Sequence, residues 1–512
     1  MRARTKGLDG FIEGDDRMTI SNTRGRSSGG GRGLRSLLFT AVLMGAVAGC
    51  DFLDPTDVEN PRTTAEDLAR AAEPVRALLP GARAQFARTV SAQVTISEVV
   101  SDNYSIQGTG LDSQYDEPRG ITADLVNSTS SAQGIYWNTQ ELRALTDFIL
   151  DDIAPGDGTA TPTQLAEVRY YRGMAYLFQG ENFTHAPTER DGAPVPASEL
   201  LARAVSELEG SLATSGSGTF ALAARAGLAR AHRLLGNAGA ATQAAEQVLA
   251  ADGSFLFEQA YDATGITNGP NTYLVIRAIK EMQPLPRLDF LDPKFIRRDS
   301  PIAVAKAEEM HLILAEAALA AGNTQAGKGH LVNAINLAGQ RGVELWADDD
   351  QRLNDDLSPR PRDAEILVRA DPDSPFRAGL VLSRPGVENP VPVVSATSLD
   401  ADSVQALTDG DEIWHAFHLA RQEIMFLEGR RMSDLGIRLP MMRREIDVNP
   451  SISVGGPGTT VTVPDYIPPL NQMDLFDPRT PYSGGELVTT EVTIRFDLNR
   501  ILTQNQVSPF LN

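Results

Sequence analysis

Cysteine occurs once in 512 residues, at Cys50. A single thiol excludes an intrachain disulfide framework, and it excludes any zinc site built from several thiolates at fixed spacing. Aromatic residues are scarce, at 6% of the chain, and 46 Lys and Arg are outnumbered by 67 Asp and Glu, for a net charge of −21. Nucleic-acid binding rests on cationic neutralisation of phosphates, so this balance argues against it. Docking on anionic lipid through a basic patch is disfavoured for the same reason. Long apolar runs are missing as well. The run Leu37–Ala48 falls short of the roughly 20 residues that span a bilayer.

That short run nevertheless has a recognisable setting. Arg32 and Arg35 precede it, and the small residues Ala48 and Gly49 close it, the arrangement of a secretory signal. Val47-Ala48-Gly49-Cys50 resembles the lipobox of bacterial lipoproteins, in which cleavage leaves a cysteine that carries lipid on its sulfur. The expected organisation is a signal peptide over residues 1–49, a lipidated tether over 50–65 and a single domain over 66–512. Pro55 and Pro61 disfavour helix in the tether. Burying acyl methylenes at about 0.8 kcal/mol each would hold the chain on a membrane through Cys50 alone.

Beyond the tether, four segments share one grammar: 164–183, 220–252, 303–339 and 411–437. In the second, Ala226, Ala229, Arg230, Arg233 and Leu234 recur at helical spacing before Gly236-Asn237 breaks the pattern, and Ala241, Ala244, Ala245 and Val248 begin another helix. The third repeats this with Leu312, Ala315 and Leu319, then Gly322-Asn323, then Leu331, Ala334 and Ile335. The fourth has a clear first helix and a poor second one. Alanine-rich faces joined by Gly-Asn turns resemble tetratricopeptide units of about 34 residues. Long Pro-, Gly-, Asn- and Asp-rich insertions (252–302, 340–411 and 449–490) separate these pairs. The fold class expected is mainly α: helix pairs in a superhelical scaffold presenting loop-rich insertions, with interrupted repeats at about 163–250, 302–339 and 411–437.

Catalytic patterns fail one by one. Gly322–Gly329, "GNTQAGKG", imitates a phosphate-binding loop but ends in glycine where Ser or Thr should hold magnesium, and it follows a helix. His415 and His418 lack a third metal ligand, and Asp348-Asp349-Asp350 lacks the alternation of a calcium loop. No nucleophile elbow occurs. The expectation is a binding protein with no catalytic residue, no metal and no cofactor.

Several phrases, in order along the chain, resemble the SusD/RagB family of outer-membrane lipoproteins. They are "CDFLDP" at Cys50, "SEVVSDN" at Ser97–Asn103, "LAEVRYYRGMAYLF" with "GAPVP", "AEEMHLILAEAALAAGN", "ARQEIMFLEGRRMSDLGI" and "DLNRILTQNQ" near the end. Asp147 departs from the asparagine common in that family, and 449–490 has no counterpart phrase. The resemblance implies a surface-exposed, lipid-anchored subunit that captures glycans or peptides and hands them to a TonB-dependent β-barrel transporter of the SusC kind. A helical-repeat scaffold for a protein or peptide partner is the alternative. Sugar faces stack on aromatic rings, so the loop aromatics Tyr104, Tyr115 and Trp346, with Asp102 and Asn103, are the candidate ligand residues; Tyr261 and Tyr273 rank behind them. Trp137 and Trp414, in helical patterns, are expected in the core. The segment "RQEIMFLEGRR" reads as structural, with Arg421, Glu423, Glu428 and Arg431 pairing along a helix and Gly429 permitting close backbone approach.

Overall fold

The chain divides into two units, Met1–Thr63 and Thr64–Asn512. The computed structural model describes residues 71–106, 115, 117–128, 130–275, 282–292, 294–347, 367–368, 377–378, 388–468 and 497–511, all within the second unit. The expected signal peptide, the tether and Cys50 lie outside the described residues. In chain order the principal helices are α1 (Pro74–Val100), α2 (Ser130–Asp147), α3 (Pro162–Asn182), α4 (Ala197–Ser215), α5 (Thr219–Leu234), α6 (Ala238–Ala251), α7 (Ala307–Ala320), α8 (Thr324–Ala338), α9 (Gly410–Ile424) and α10 (Leu498–Gln504). The described strands form antiparallel two-stranded ribbons only. The architecture is mainly α. Among the described residues, no helix is long and apolar enough to cross a membrane.

Local chemistry accounts for the helix boundaries. Thr161 and Gln164 form a reciprocal capping box at the start of α3, with Pro162 in its first turn. Asp409 accepts from the Asp411 and Glu412 amides at the start of α9, at 2.9 and 3.1 Å. Asp157, distant in sequence, accepts from the Val75 amide in the first turn of α1 at 3.0 Å. Gly322 ends α7 in the left-handed region, φ +75°, where a side chain would be strained. Asn323 then caps α8 by accepting from the Ala326 amide. The phosphate-loop imitation is therefore a helix–helix turn. Its Gly327 lets α8 approach α7, because a Cβ there would stand 2.5 Å from the Leu319 side chain. Its lysine, Lys328, donates to the Gln405 and Leu407 carbonyls at 2.9 and 2.8 Å.

Each helix from α3 to α8 packs on its neighbour in sequence, and α1 and α2 lie against the first of them. The turns 235–237 and 321–323 are too short for anything but antiparallel neighbours. Helix α4 is not among the expected elements, although Leu200, Leu201, Ala204, Leu208 and Ser211 form its buried face at helical spacing. Glycines set its closeness to α3: a Cβ on Gly173 would meet Leu208 at 2.8 Å, and one on Gly180 would meet Leu201 at 2.7 Å. The fourth expected pair differs from the others. After α9 the chain turns through Leu427, at φ +57°, into the four-residue helix Arg431–Asp434. Helix α9 therefore packs on α7, α8 and α10 rather than on a second helix of its own. Leu312, Leu331, Ile335, Phe417 and Ile424 form a separate apolar cluster there.

Candidate functional site

The structure buries four of the candidate ligand residues. Asp102, Asn103, Tyr104 and Tyr115 are all at most 3% exposed. Asp102 accepts from Arg431 Nε at 2.6 Å and Nη2 at 2.8 Å, and from Gln422 Nε2 at 3.1 Å. Burial alone would raise its carboxyl, but the Arg431 guanidinium, joined by Arg287, outweighs this and holds it below the usual range. Asn103 Nδ2 donates to Glu98 Oε2 at 2.5 Å. Tyr104 donates to Asp292 at 3.1 Å, and its ring stacks on Phe426 with centroids 5.7 Å apart. These side chains hold α1 to the 421–434 segment. Trp346 sits on the strand Val343–Ala347, paired opposite Asn389, and its side chain lies outside the described residues.

The 421–434 segment is structural, though by a different geometry from the one expected. Its charges pair across the fold, not along one helix. Arg430 forks onto Glu309 of α7 at 3.0 and 2.9 Å. Arg421 and Arg233 of α5 share Asp434, at 2.7 and 2.9 Å. Glu428 receives Lys294 and Lys306 at 2.6 and 2.5 Å. Glu423 accepts from the Thr397 and Ser398 hydroxyls at 2.6 Å. Gly429, at φ +73°, does permit close approach: a Cβ would lie 3.0 Å from Gln93 Cγ and 3.4 Å from the Gln93 backbone carbon. Asp147 pairs with Arg143 at 2.7 Å and Arg172 at 3.4 Å, a structural role also.

An accessible site forms elsewhere. A cleft of about 300 Å³ opens between α1, α2 and the 265–273 segment. Helix α1 contributes Arg88, Ser91, Ala92 and Thr95, one stripe at helical spacing, and α2 contributes Gly134 and Asn138. The third wall is fixed in place. Asp262 Oδ1 gathers the Thr264 and Gly265 amides, both at 2.7 Å. The Gly269 amide donates to Ser91 Oγ at 2.8 Å, and any Cβ at Gly269 would collide with that hydroxyl. Asn268 Nδ2 donates to the Ser300 carbonyl and Asn271 Nδ2 to that of Phe295, each at 2.7 Å. Tyr273, 44% exposed, stands on this braced segment as the aromatic ring of the cleft.

The polar groups of the cleft are partly uncommitted. Arg88 is exposed, and among the described residues its guanidinium has one contact, 3.5 Å from Gln85 Oε1. The Asn138 amide is oriented by Gln85 Nε2, 2.9 Å from Oδ1, and by its own donation to the Gly134 carbonyl at 2.7 Å. An aromatic face, an exposed guanidinium and an oriented amide around a small concavity suit a polyhydroxylated ligand with one apolar face. Tyr273 was a second-rank candidate in the sequence, while Tyr261 is partly buried and donates to the Ala87 carbonyl at 2.9 Å. Arg88 went unread; its signal is the polar stripe Arg88-Ser91-Thr95 at helical spacing along α1.

Two further expectations change. Trp137 is 41% exposed, with the Arg444 guanidinium 5.8 Å above its ring, rather than in the core. Trp414 is partly buried against Phe417 and His418. His415 bonds Asp497 at 2.7 Å, whereas His418 is buried, so the pair does not share one site. Among the described residues, no three His, Cys, Asp or Glu side chains are grouped to hold a metal ion.

These features define a helical-repeat scaffold with a braced aromatic cleft. No family model matches the sequence, and no curated protein matches it. By structure the chain is similar to a SusD-like carbohydrate-binding protein from Bacteroides vulgatus, at 12% identity and a TM-score of 0.44, over 72% of this chain and 83% of that one. It is similar to a SusD-superfamily protein of the same organism at 14% identity and a TM-score of 0.48, over 73% and 88%. A SusD-superfamily protein from Bacteroides thetaiotaomicron matches at 12% identity and a TM-score of 0.43, over 71% and 89%.

Proposed function

We propose that this chain is the lipid-anchored, glycan-binding subunit of an outer-membrane uptake complex. It captures oligosaccharides in the cleft beside Tyr273 and passes them to a TonB-dependent β-barrel of the SusC kind. The observation that carries this reading is the cleft: an exposed ring on a segment braced by buried asparagines, in one concavity with an exposed Arg88 and an oriented Asn138. Rigid placement of the ring lowers the entropy cost of stacking a sugar on it. The ordered phrases from Cys50 to Asn505 support the family reading, and Cys50 supplies the anchor in this account. No bond of the ligand is broken.

Titration calorimetry of the full chain in detergent, against neutral oligosaccharides and against peptides, tests the ligand class. Saturable binding of an oligosaccharide is expected. Binding of peptides with no oligosaccharide bound would favour a protein-partner scaffold instead. Isolation of the tagged chain from native outer membranes should bring a TonB-dependent barrel with it, and repeated recovery without one would count against the complex.

A further inference from the structure

The larger of the two cavities described here lies away from the Tyr273 cleft and has a different chemistry. Its volume is about 550 Å³, and it opens between the end of α5, the Arg431–Arg438 stretch and residues 505–509. Its charged lining is Arg233, Arg421, Arg431, Arg438, His418 and Asp434. Arg233 is held by Glu316, at 2.5 and 3.1 Å, and by Asp434. Arg421 shares that same Asp434, and Arg431 is held by Asp102, which Arg287 also contacts. Arg438 forms no ion pair among the described residues and donates to the Gly180 carbonyl. Arg233, Arg421 and Arg431 are thus paired with Glu316, Asp434 and Asp102, and Arg438 alone of the four guanidinium groups has no ion pair among the described residues.

Two buried polar atoms of its lining residues are also without hydrogen-bond partners among the described residues. Arg421 has a side chain only 4% exposed, and its Nη1 makes no hydrogen bond. His418 is 6% exposed, and its Nε2 likewise has none. A buried N–H of a charged side chain such as Arg421 is costly to leave without a hydrogen bond. Water could satisfy that hydrogen bond but could not pair with the charge of Arg438. A planar guanidinium fork matches the spacing of oxygens in carboxylate, phosphate and sulfate groups. We propose that this cavity is a binding site for a small oxyanion, received by Arg421 and Arg438 with His418 beside them.

The volume admits a free ion or the acidic group of a sugar, and the two sources are separable by experiment. Titration calorimetry of the full chain in detergent would use inorganic phosphate, glucuronate and, as neutral control, glucose. Saturable binding of phosphate alone supports a free ion, and binding of glucuronate, with or without phosphate, supports an acidic sugar. Arg438→Gln is expected to weaken either by about tenfold. Asn505 is exposed at the rim of the cavity, so Asn505→Glu should weaken binding several-fold by like-charge repulsion. That variant decides the question if Arg438→Gln does not fold. Tyr273→Ala should leave anion binding unchanged, which separates this site from the proposed glycan cleft. The proposal is overturned if neither anion binds the wild-type chain saturably, or if both charge variants bind as the wild type does.

Discussion

At the residue scale, the loop that looked solvent-facing carries the most consequential buried charge. Asp102 is held by Arg431 and Arg287, with Gln422 completing its shell. Removing one member of a buried pair leaves the other desolvated without compensation, typically at a cost of 3–5 kcal/mol. Asp102→Asn should therefore destabilise the chain by about that much in urea denaturation. A loss below about 1 kcal/mol would mean that the pair is not the clamp described here. Glu98 supplies a pH test. Burial pushes its carboxyl up to about 7, against the opposing hydrogen bond from Asn103. A raised carboxyl binds its proton more tightly in the folded state, so its contribution is present below the unfolded value, 4.5, and is lost as pH rises through 7. Glu98→Gln should remove that loss, gaining about 3 kcal/mol relative to wild type between pH 4.5 and 8. His418 acts in the opposite direction. Burial, with Arg431 beside it, pushes it down to about 3, so its contribution is present above 6.5 and is lost as pH falls towards 3.

At the element scale, the helix pairs rest on small residues. Gly180 sits where a Cβ would approach both Leu201 and the Ala197 carbonyl, at 2.7 and 3.0 Å. Gly180→Val should force α3 and α4 apart and cost about 1–3 kcal/mol or more, read as a drop in melting temperature. An unchanged melting temperature would show that the interface yields freely. The Gly322-Asn323 and Gly236-Asn237 turns were legible because helix breaking by glycine and asparagine is local chemistry. The buried alanines of α5 and α7 were legible for a similar reason, since periodicity is written along one element. Helix α4 is equally periodic, but no Gly-Asn turn follows it as one follows α5 and α7. The burial of Asp102 and Tyr104 was not legible, for a different reason. Their partners, Arg431 and Asp292, lie far along the chain, and a polar loop carries no local sign of such closure. Trp137 failed in the opposite direction: a helical pattern says which residues share a face, but not whether another element covers that face.

At the scale of the whole molecule, one segment joins the parts. Residues 421–434 make ion pairs or hydrogen bonds with α1, α3, α5, α7 and α10, so the repeats and the C-terminal helix are fastened to a common centre. This explains why charge-rich phrases mark the scaffold while the cleft is built from unremarkable positions such as Arg88, Asn138 and Tyr273. A rigid centre with a braced cleft at one side is what a capture subunit requires, because ordering is done before the ligand arrives. The account stands on the cleft, and a paired titration tests it most directly. An oligosaccharide that binds the wild-type chain should be titrated into Tyr273→Ala under the same conditions. Loss of the stacking ring should weaken binding by roughly 1.5 kcal/mol, about tenfold, at an unchanged melting temperature. Equal affinity of the two proteins for that oligosaccharide would place the glycan elsewhere and contradict the account.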